Sequence, residues 1–135
     1  MKKNIQNNIK IIGIIHIGAR SVRLLIGQIM KNGKIMFLEK LSAPLAIGKE
    51  IFATGAISNE TISELIKIIQ NFQQVAETYK VDQIKAVGTS VLREALNSDV
   101  LVSRIENIKN IKIKSIEAAE EANVVYNGLK KLTPK

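Results

Sequence analysis

The sequence predicts an α/β domain: a mixed five-stranded sheet in the order strand, strand, strand, helix, strand, helix, strand, helix, with the helices packed on it. Three features carry that prediction. The chain opens with apolar runs separated by turn signals, its middle holds a long stretch with apolar residues at helical spacing, and from there strand and helix patterns alternate. Alternation of this kind implies right-handed crossovers between parallel strands.

Residues 1–8 are polar and expected to fray. Ile9 to Ile17 is a nearly continuous apolar run, the pattern of a strand covered on both faces. Val22 to Met30 reads as a second strand, and Asn32-Gly33 as a two-residue hairpin turn that returns the chain as a third strand over Ile35 to Leu41. Between Ser42 and Ile57 the chain reads as irregular, punctuated by Pro44, Gly48 and Gly55. Ser58 is a helix N-cap candidate, with Glu60 and Glu64 suited to the positive end of the helix dipole. Ile62, Leu65, Ile66, Ile69, Phe72, Ala76 and Tyr79 then form one apolar helical face.

Val81 to Val87 reads as a short buried strand ending in Gly88-Thr89-Ser90, and Val91 to Leu96 as a brief helix that Asn97-Ser98-Asp99 breaks and recaps. Leu101, Val102, Ile105 and Ile108 mark a further helical face, Ile111 to Ile116 a fifth strand and Ala118 to Lys131 a final helix. No internal repeat, linker or low-complexity segment interrupts this order, so residues 1–135 read as a single domain.

A net charge of +8 attracts polyanions such as polyphosphate, nucleotides or nucleic acid, although lysines scattered through the chain equally describe a solvated surface. With aromatics at 4% and no Trp, a base-stacking platform is disfavoured, and a nucleic-acid partner with it. The absence of Cys excludes thiolate nucleophiles, disulfides and Cys-based zinc sites, and a lone His cannot anchor a multi-His metal centre. The apolar run Ile11 to Ile17 is too short to span a membrane, is interrupted by His16 and lacks a small-residue cleavage pattern. A cytoplasmic protein without a membrane partner is the expectation.

In open α/β sheets ligands bind where strands deliver their carboxyl ends. Three segments fall at such ends: the turn Gly18 to Ser21, the Thr89-Ser90 stretch leading to Arg93, and the acidic group Glu117, Glu120 and Glu121. The first suits phosphate, because Gly18 permits close backbone approach, Ser21 offers a hydroxyl, and Arg20 and Arg23 supply positive charge. His16, however, ends the first strand where an Asp would hold a hard cation through oxygen, which imidazole does poorly.

The stretch His16-Ile17-Gly18-Ala19-Arg20-Ser21-Val22-Arg23-Leu24 resembles the first phosphate loop of the exopolyphosphatase and guanosine pentaphosphate phosphohydrolase (Ppx/GppA) family, which usually reads Asp-x-Gly-Ser-Asn-Ser-x-Arg-Leu. Thr89-Ser90-Val91-Leu92-Arg93-Glu94-Ala95-Leu96-Asn97 is similar to that family's Thr-Ser-Ala-Leu-Arg-Glu-Ala-x-Asn signature. Glu120-Glu121-Ala122-Asn123-Val124-Val125-Tyr126-Asn127-Gly128 resembles its Glu-Glu-Ala-Arg-Leu-Ile-Tyr-x-Gly segment. The likeness runs in order from about Ile11 to Leu129. His16 replaces the loop Asp, Ala19-Arg20 replace Ser-Asn, and Ala118 occupies the place of a customary Gly.

The resemblance implies the actin-like ATPase (ribonuclease H-like) fold, in which two related α/β domains close over a phosphate chain, with this chain matching the first and the second absent. It implies water attack, assisted by Mg²⁺, on the terminal phosphoanhydride of polyphosphate or of a guanosine polyphosphate. By motif position Glu121 would activate the water, Arg93 would hold a phosphate oxygen, and Gly18, Arg20, Ser21 and Ser90 would contact phosphate. No residue is assigned to a metal, and His16 puts Mg²⁺ in question. The sequence ends at Lys135, before the second phosphate loop of the family, so a domain cut from a longer protein or a shortened relative is expected. With it comes weak or absent hydrolysis, and either self-association or a chain that supplies the second domain. The alternative is a non-catalytic polyanion-binding, regulatory or interaction module derived from the same fold.

Each residue also has a plainer reading. Glu117, Glu120 and Glu121 can serve as first-turn acids worth about 0.3–1 kcal/mol each. Arg93 can pair with Glu94 or Asp99 at the surface, Thr89 and Ser90 can cap a helix, and Gly18 can be a plain turn glycine. His16 can be a tolerated substitution at a site that has lost its metal, or a pH-sensitive phosphate contact, since its ordinary pKa is near 6.5.

Overall fold

The computed structural model describes residues 10–88, 94–108 and 111–113. Its strands are β1 (Lys10–Ile17), β2 (Ser21–Ile29), β3 (Ile35–Pro44), β4 (Gln83–Gly88) and β5 (Ile111–Ile113); its helices are α1 (Ile47–Thr54), α2 (Asn59–Thr78) and α3 (Ser98–Glu106). They form one five-stranded sheet in the order β3-β2-β1-β4-β5. The first three strands are an antiparallel meander, while β1 pairs parallel with β4 and β4 parallel with β5. The expected mixed sheet is thus present. The expected final helix over Ala118 to Lys131 lies outside the described residues.

Strand alternation sorts β1 and β2 onto two faces. Ile15, Ile17, Val22, Leu24 and Ile26 point into the main core, where they meet Ile62, Leu65, Ile69 and Phe72 of α2 and Leu101 and Ile105 of α3. Ile14, Leu25 and Val87 form a second buried cluster with Ile35 and Phe37. Burial of both faces at the sheet centre explains the unbroken apolar run of β1. The α2 face is the one its periodicity predicts: Ile62, Leu65, Ile66, Ile69, Phe72 and Ala76 are its buried residues. Ser58 caps α2 by accepting from the Thr61 N–H at 3.1 Å. At the other end Lys80 takes a left-handed φ of 57°, and the N–H groups of Lys80 and Val81 donate to the carbonyls of Glu77 and Ala76, a Schellman closure.

Three local expectations require correction. The stretch read as irregular between Ser42 and Ile57 extends β3 to Pro44 and then forms α1. Pro44 is tolerated because β3 is an edge strand. The Asn32-Gly33 turn is a three-residue loop rather than a two-residue one: Met30 N–H donates to Lys34 O at 2.7 Å, and Gly33 N–H to Met30 O at 2.9 Å. Gly33 has φ 88° and Asn32 does not share the positive φ that a two-residue type I′ turn demands at both positions. Finally, Glu94 to Asn97 is turn rather than helix, the remainder of that expected brief helix lying outside the described residues.

Candidate functional site

Parallel pairing sets Ile17, the last residue of β1, opposite Gly88, the last residue of β4. The end of β1, from which the first loop departs, and the end of β4 at Gly88 therefore lie side by side, about 4.8 Å apart. β5 runs parallel to β4 and directs the chain toward the same end. Such an end is where ligands gather in open α/β sheets.

The β1–β2 turn is tightly closed. Gly18 N–H donates to Ser21 O at 2.9 Å, and a Cβ on Gly18 would stand 3.3 Å from that same oxygen. The Gly18 amide is thus engaged within the turn, and the close approach that favours glycine here is to Ser21. Ser21 opens β2, half-buried, opposite Pro44 of β3. Arg20 is exposed at the tip, where its carbonyl accepts from Leu45 N–H at 2.9 Å. His16 is half-buried and lies opposite Arg23 on β2 and Val87 on β4, on the face away from Ile15 and Ile17. Its ring approaches Gly18, with Cε1 3.8 Å from where a Cβ would be.

Helix α1 sits directly on this turn. Gly48 N–H donates to Ala19 O at 2.9 Å, and a Cβ on Gly48 would come within 2.8 Å of the Ala19 Cβ. Only glycine fits that contact. The far end of α1 closes on Gly55, whose φ is 83°. There Leu96 N–H donates to Gly55 O at 2.8 Å. The Asn97 side chain pairs with the Ile57 backbone in both directions, donating from Nδ2 to Ile57 O at 2.9 Å and accepting at Oδ1 from Ile57 N–H at 3.0 Å. In the middle, the Glu50 carboxylate accepts from Ser58 N–H at 2.8 Å, Ser58 Oγ at 3.0 Å and Thr61 Oγ1 at 2.5 Å. The Thr61 hydroxyl, followed by the Ser58 amide, holds the Glu50 carboxyl below its ordinary pKa of 4.5.

Together these elements line an open cleft of about 760 Å³ with Ala19, Arg20, Gly48, Lys49, Phe52 and Glu94 among its walls. Residues from the first loop and from the second motif thus share one depression, with two cations and one carboxylate at its rim. A larger opening of about 1060 Å³ at the start of β1 and β4, bordered by Lys10, Asp82 and Gln83, touches none of the motif residues. Of the sequence-predicted site residues, Arg20 lines this cleft and Gly18 and Ser21 lie beside it in the same β1–β2 turn, whereas Ser90, Arg93 and Glu121 lie outside the described residues. Lys49 and Phe52 carry no signal in the sequence, and Gly48 reads there only as a break in an irregular stretch, not as part of a cleft.

Among the described residues no group of three or more His, Cys, Asp or Glu side chains could hold a metal ion. Among the described residues bordering the first loop the metal-donor side chains are the His16 imidazole and the Glu94 carboxylate, which by themselves do not make the octahedral oxygen set that Mg²⁺ takes. No helix among the described residues is long and apolar enough to cross a membrane.

The sequence profile of the Ppx/GppA phosphatase family matches residues 26–135. The chain belongs to that family. A crystal structure of an exopolyphosphatase from Cytophaga hutchinsonii superposes with a TM-score of 0.76 at 28% identity, covering 93% of this chain and 40% of that one. Exopolyphosphatase 1 of Mycobacterium leprae is 22% identical over 89% of this chain and 35% of its own length. The guanosine-5′-triphosphate,3′-diphosphate pyrophosphatase of Aliivibrio fischeri is 25% identical over 85% of this chain and 23% of its own. The chain therefore spans little more than a third, or less, of these curated relatives. Its fold is the actin-like ATPase type of the Ppx/GppA proteins, with the meander first and the crossovers after.

Proposed function

We propose that this chain is the N-terminal domain of an exopolyphosphatase or guanosine polyphosphate phosphatase-like protein and forms half of a site for phosphoanhydride chains. The observation that carries this reading is the shared cleft: Arg20 of the first loop and Glu94 of the second motif line one depression at the carboxyl ends of β1 and β4. Its cations, Arg20 and Lys49, suit the terminal phosphates of polyphosphate or of a guanosine polyphosphate. Ser21 and Ser90 supply hydroxyl contacts, Arg93 holds a phosphate oxygen, and Glu121 positions and deprotonates the attacking water. A facing phosphate loop comes from a second domain or from a partner chain, a second copy included, in the cytoplasm.

These 135 residues alone hydrolyse phosphoanhydrides weakly or not at all, because His16 stands where the family's loop carries a carboxylate. The same observation favours the second reading, a polyanion-binding module without turnover. The test is phosphate release from polyphosphate and guanosine pentaphosphate with Mg²⁺ by this chain, Glu121→Gln and His16→Asp, together with polyphosphate binding by titration calorimetry. Binding without turnover is the expected result, and activity gained in His16→Asp would place the defect in the metal site. Turnover by the unaltered chain that Glu121→Gln abolishes would overturn the weak-hydrolase reading, and absence of polyphosphate binding would overturn the site itself.

A further inference from the structure

We propose that Asn97 is a positioning residue, and that α1 is the bracket through which it sets the second motif against the first loop. The inference rests on the phosphate-site reading above but goes beyond it, since Asn97 carries no charge and lines no part of the cleft.

Asn97 occupies the N-cap position of α3 and yet makes no side-chain cap bond there. An Asn at this position ordinarily stabilises its helix through such a bond. Its amide is turned instead to a backbone 40 residues earlier, where both of its hydrogen-bonding ends engage Ile57. Ile57 is buried, so without Asn97 its N–H and carbonyl would face an apolar surround with neither of these partners. The neighbouring Leu96 N–H bond to Gly55 makes a three-bond seam between residues 55–57 and 96–97.

The seam lies at one end of α1. At the other end Leu45 and Gly48 donate to the carbonyls of Arg20 and Ala19, with Gly48 packed against Ala19 too closely for any side chain. Between them the Glu50 carboxylate fastens α1 to the start of α2. An eight-residue helix is about 12 Å of rigid rod. Fixed at both ends, it holds the segment bearing Glu94 at a set distance from the tip bearing Arg20. A charged site needs that separation constant, because phosphate contacts weaken steeply when their donors drift.

The discriminating variant is Asn97→Ser. Serine is also a favoured N-cap residue, so α3 keeps a residue able to cap it, while both side-chain bonds to Ile57 are lost; leaving that buried backbone pair without these partners lowers the melting temperature by some degrees, and the measurements are made well below it. The measurements are amide hydrogen exchange by NMR and calorimetric titration with inorganic polyphosphate of defined length. Exchange is expected to quicken at Ile57 and Leu96 and, through α1, at Leu45 and Gly48, and polyphosphate affinity to fall about tenfold, the order of one to two lost hydrogen bonds. Affinity equal to that of the unaltered chain would overturn the inference. If the unaltered chain binds no polyphosphate, the phosphate-site reading falls, and exchange alone decides the bracket. Faster exchange confined to Ile57 and Leu96 would then refute it, and faster exchange reaching Gly48 would uphold it.

Discussion

Replacing Gly48 by alanine tests how firmly α1 is seated on the first loop. The added Cβ would stand 2.8 Å from the Ala19 Cβ and 3.4 Å from the Ala19 Cα and carbonyl oxygen. Carbon atoms in contact prefer about 3.5–4.0 Å, so helix and turn must part by roughly 1 Å. That movement breaks or strains the 2.9 Å bond from Gly48 N–H to Ala19 O. Overpacking of this kind costs about 1–3 kcal/mol, a lost hydrogen bond about 0.5–1.5 kcal/mol, and alanine's better helix propensity returns about 1 kcal/mol. A net loss of about 1–3 kcal/mol is expected, read as a melting point lowered by several degrees in circular dichroism and a matching shift of the urea midpoint. Because the clash is with one methyl group, Ala19→Gly should relieve it, and the double variant should recover about 1–2 kcal/mol relative to the sum of the singles. Gly48→Ala at or above the stability of the unaltered chain, or two substitutions whose effects merely add, would show that the seat is loose and that α1 fixes nothing.

Glu50→Gln should alter the acid limb of the stability curve. Hydrogen bonds from Thr61 and Ser58 hold the folded-state pKa of Glu50 below 4.5, so its contribution is complete above 4.5 and disappears as pH falls through the folded value. The group is partly solvated, so the loss at neutral pH is expected to stay under about 1 kcal/mol. Urea midpoints measured from pH 3 to 7 should fall less steeply for Glu50→Gln than for the unaltered chain, and parallel curves would refute the assignment. Lys80→Gly should stabilise: a side chain in the left-handed region costs about 1–2 kcal/mol, and glycine's freedom in the unfolded chain takes back about 0.5–1 kcal/mol. With φ at 57°, a net gain of about 0.5–1 kcal/mol and a raised melting temperature are expected; a lowered one would mean that the lysine side chain matters more than its backbone.

What the sequence disclosed, it disclosed through local signals. β1, β2 and α2 lie within two residues of their expected ends, because a run buried on both faces and a capped amphipathic helix each write their period into neighbouring residues. The α2 start is a single-residue statement, Ser58 bonding to Thr61. α1 carries no such statement. Ala46 at its N-cap makes no side-chain bond, glycine stands in its first turn, only Ile47 and Ile51 are buried, and Phe52 is 94% exposed. It is helical because tertiary bonds at both ends hold it, which composition cannot register. The Asn32-Gly33 turn failed for a related reason: the residue pair was right, but the loop length is set by which amides close the hairpin. The chemical half of the site divides the same way. Gly18, Arg20 and Ser21 were recognisable as a turn, while Asn97, legible only as part of a motif, has its partner 40 residues away.

That division bears on how the motifs should be read. The sheet order β3-β2-β1-β4-β5 makes β1 and β4 neighbours, and Ile17 meets Gly88 across 71 residues of chain. Adjacent strand ends alone would leave two loops free to splay, since a turn at the surface and an exposed segment such as Glu94 have few buried contacts of their own. The stretch between Leu45 and Ile57 removes that freedom by bonding to one loop at each end. A family motif in this fold is therefore only partly a set of groups that touch phosphate. Some of its letters, Asn97 among them, act on the backbone that connects the groups. Gly48→Ala and Asn97→Ser are then expected to weaken polyphosphate binding, as is Arg20→Ala, but with little of the salt dependence that marks the loss of a cation, which calorimetric titrations at two salt concentrations would check.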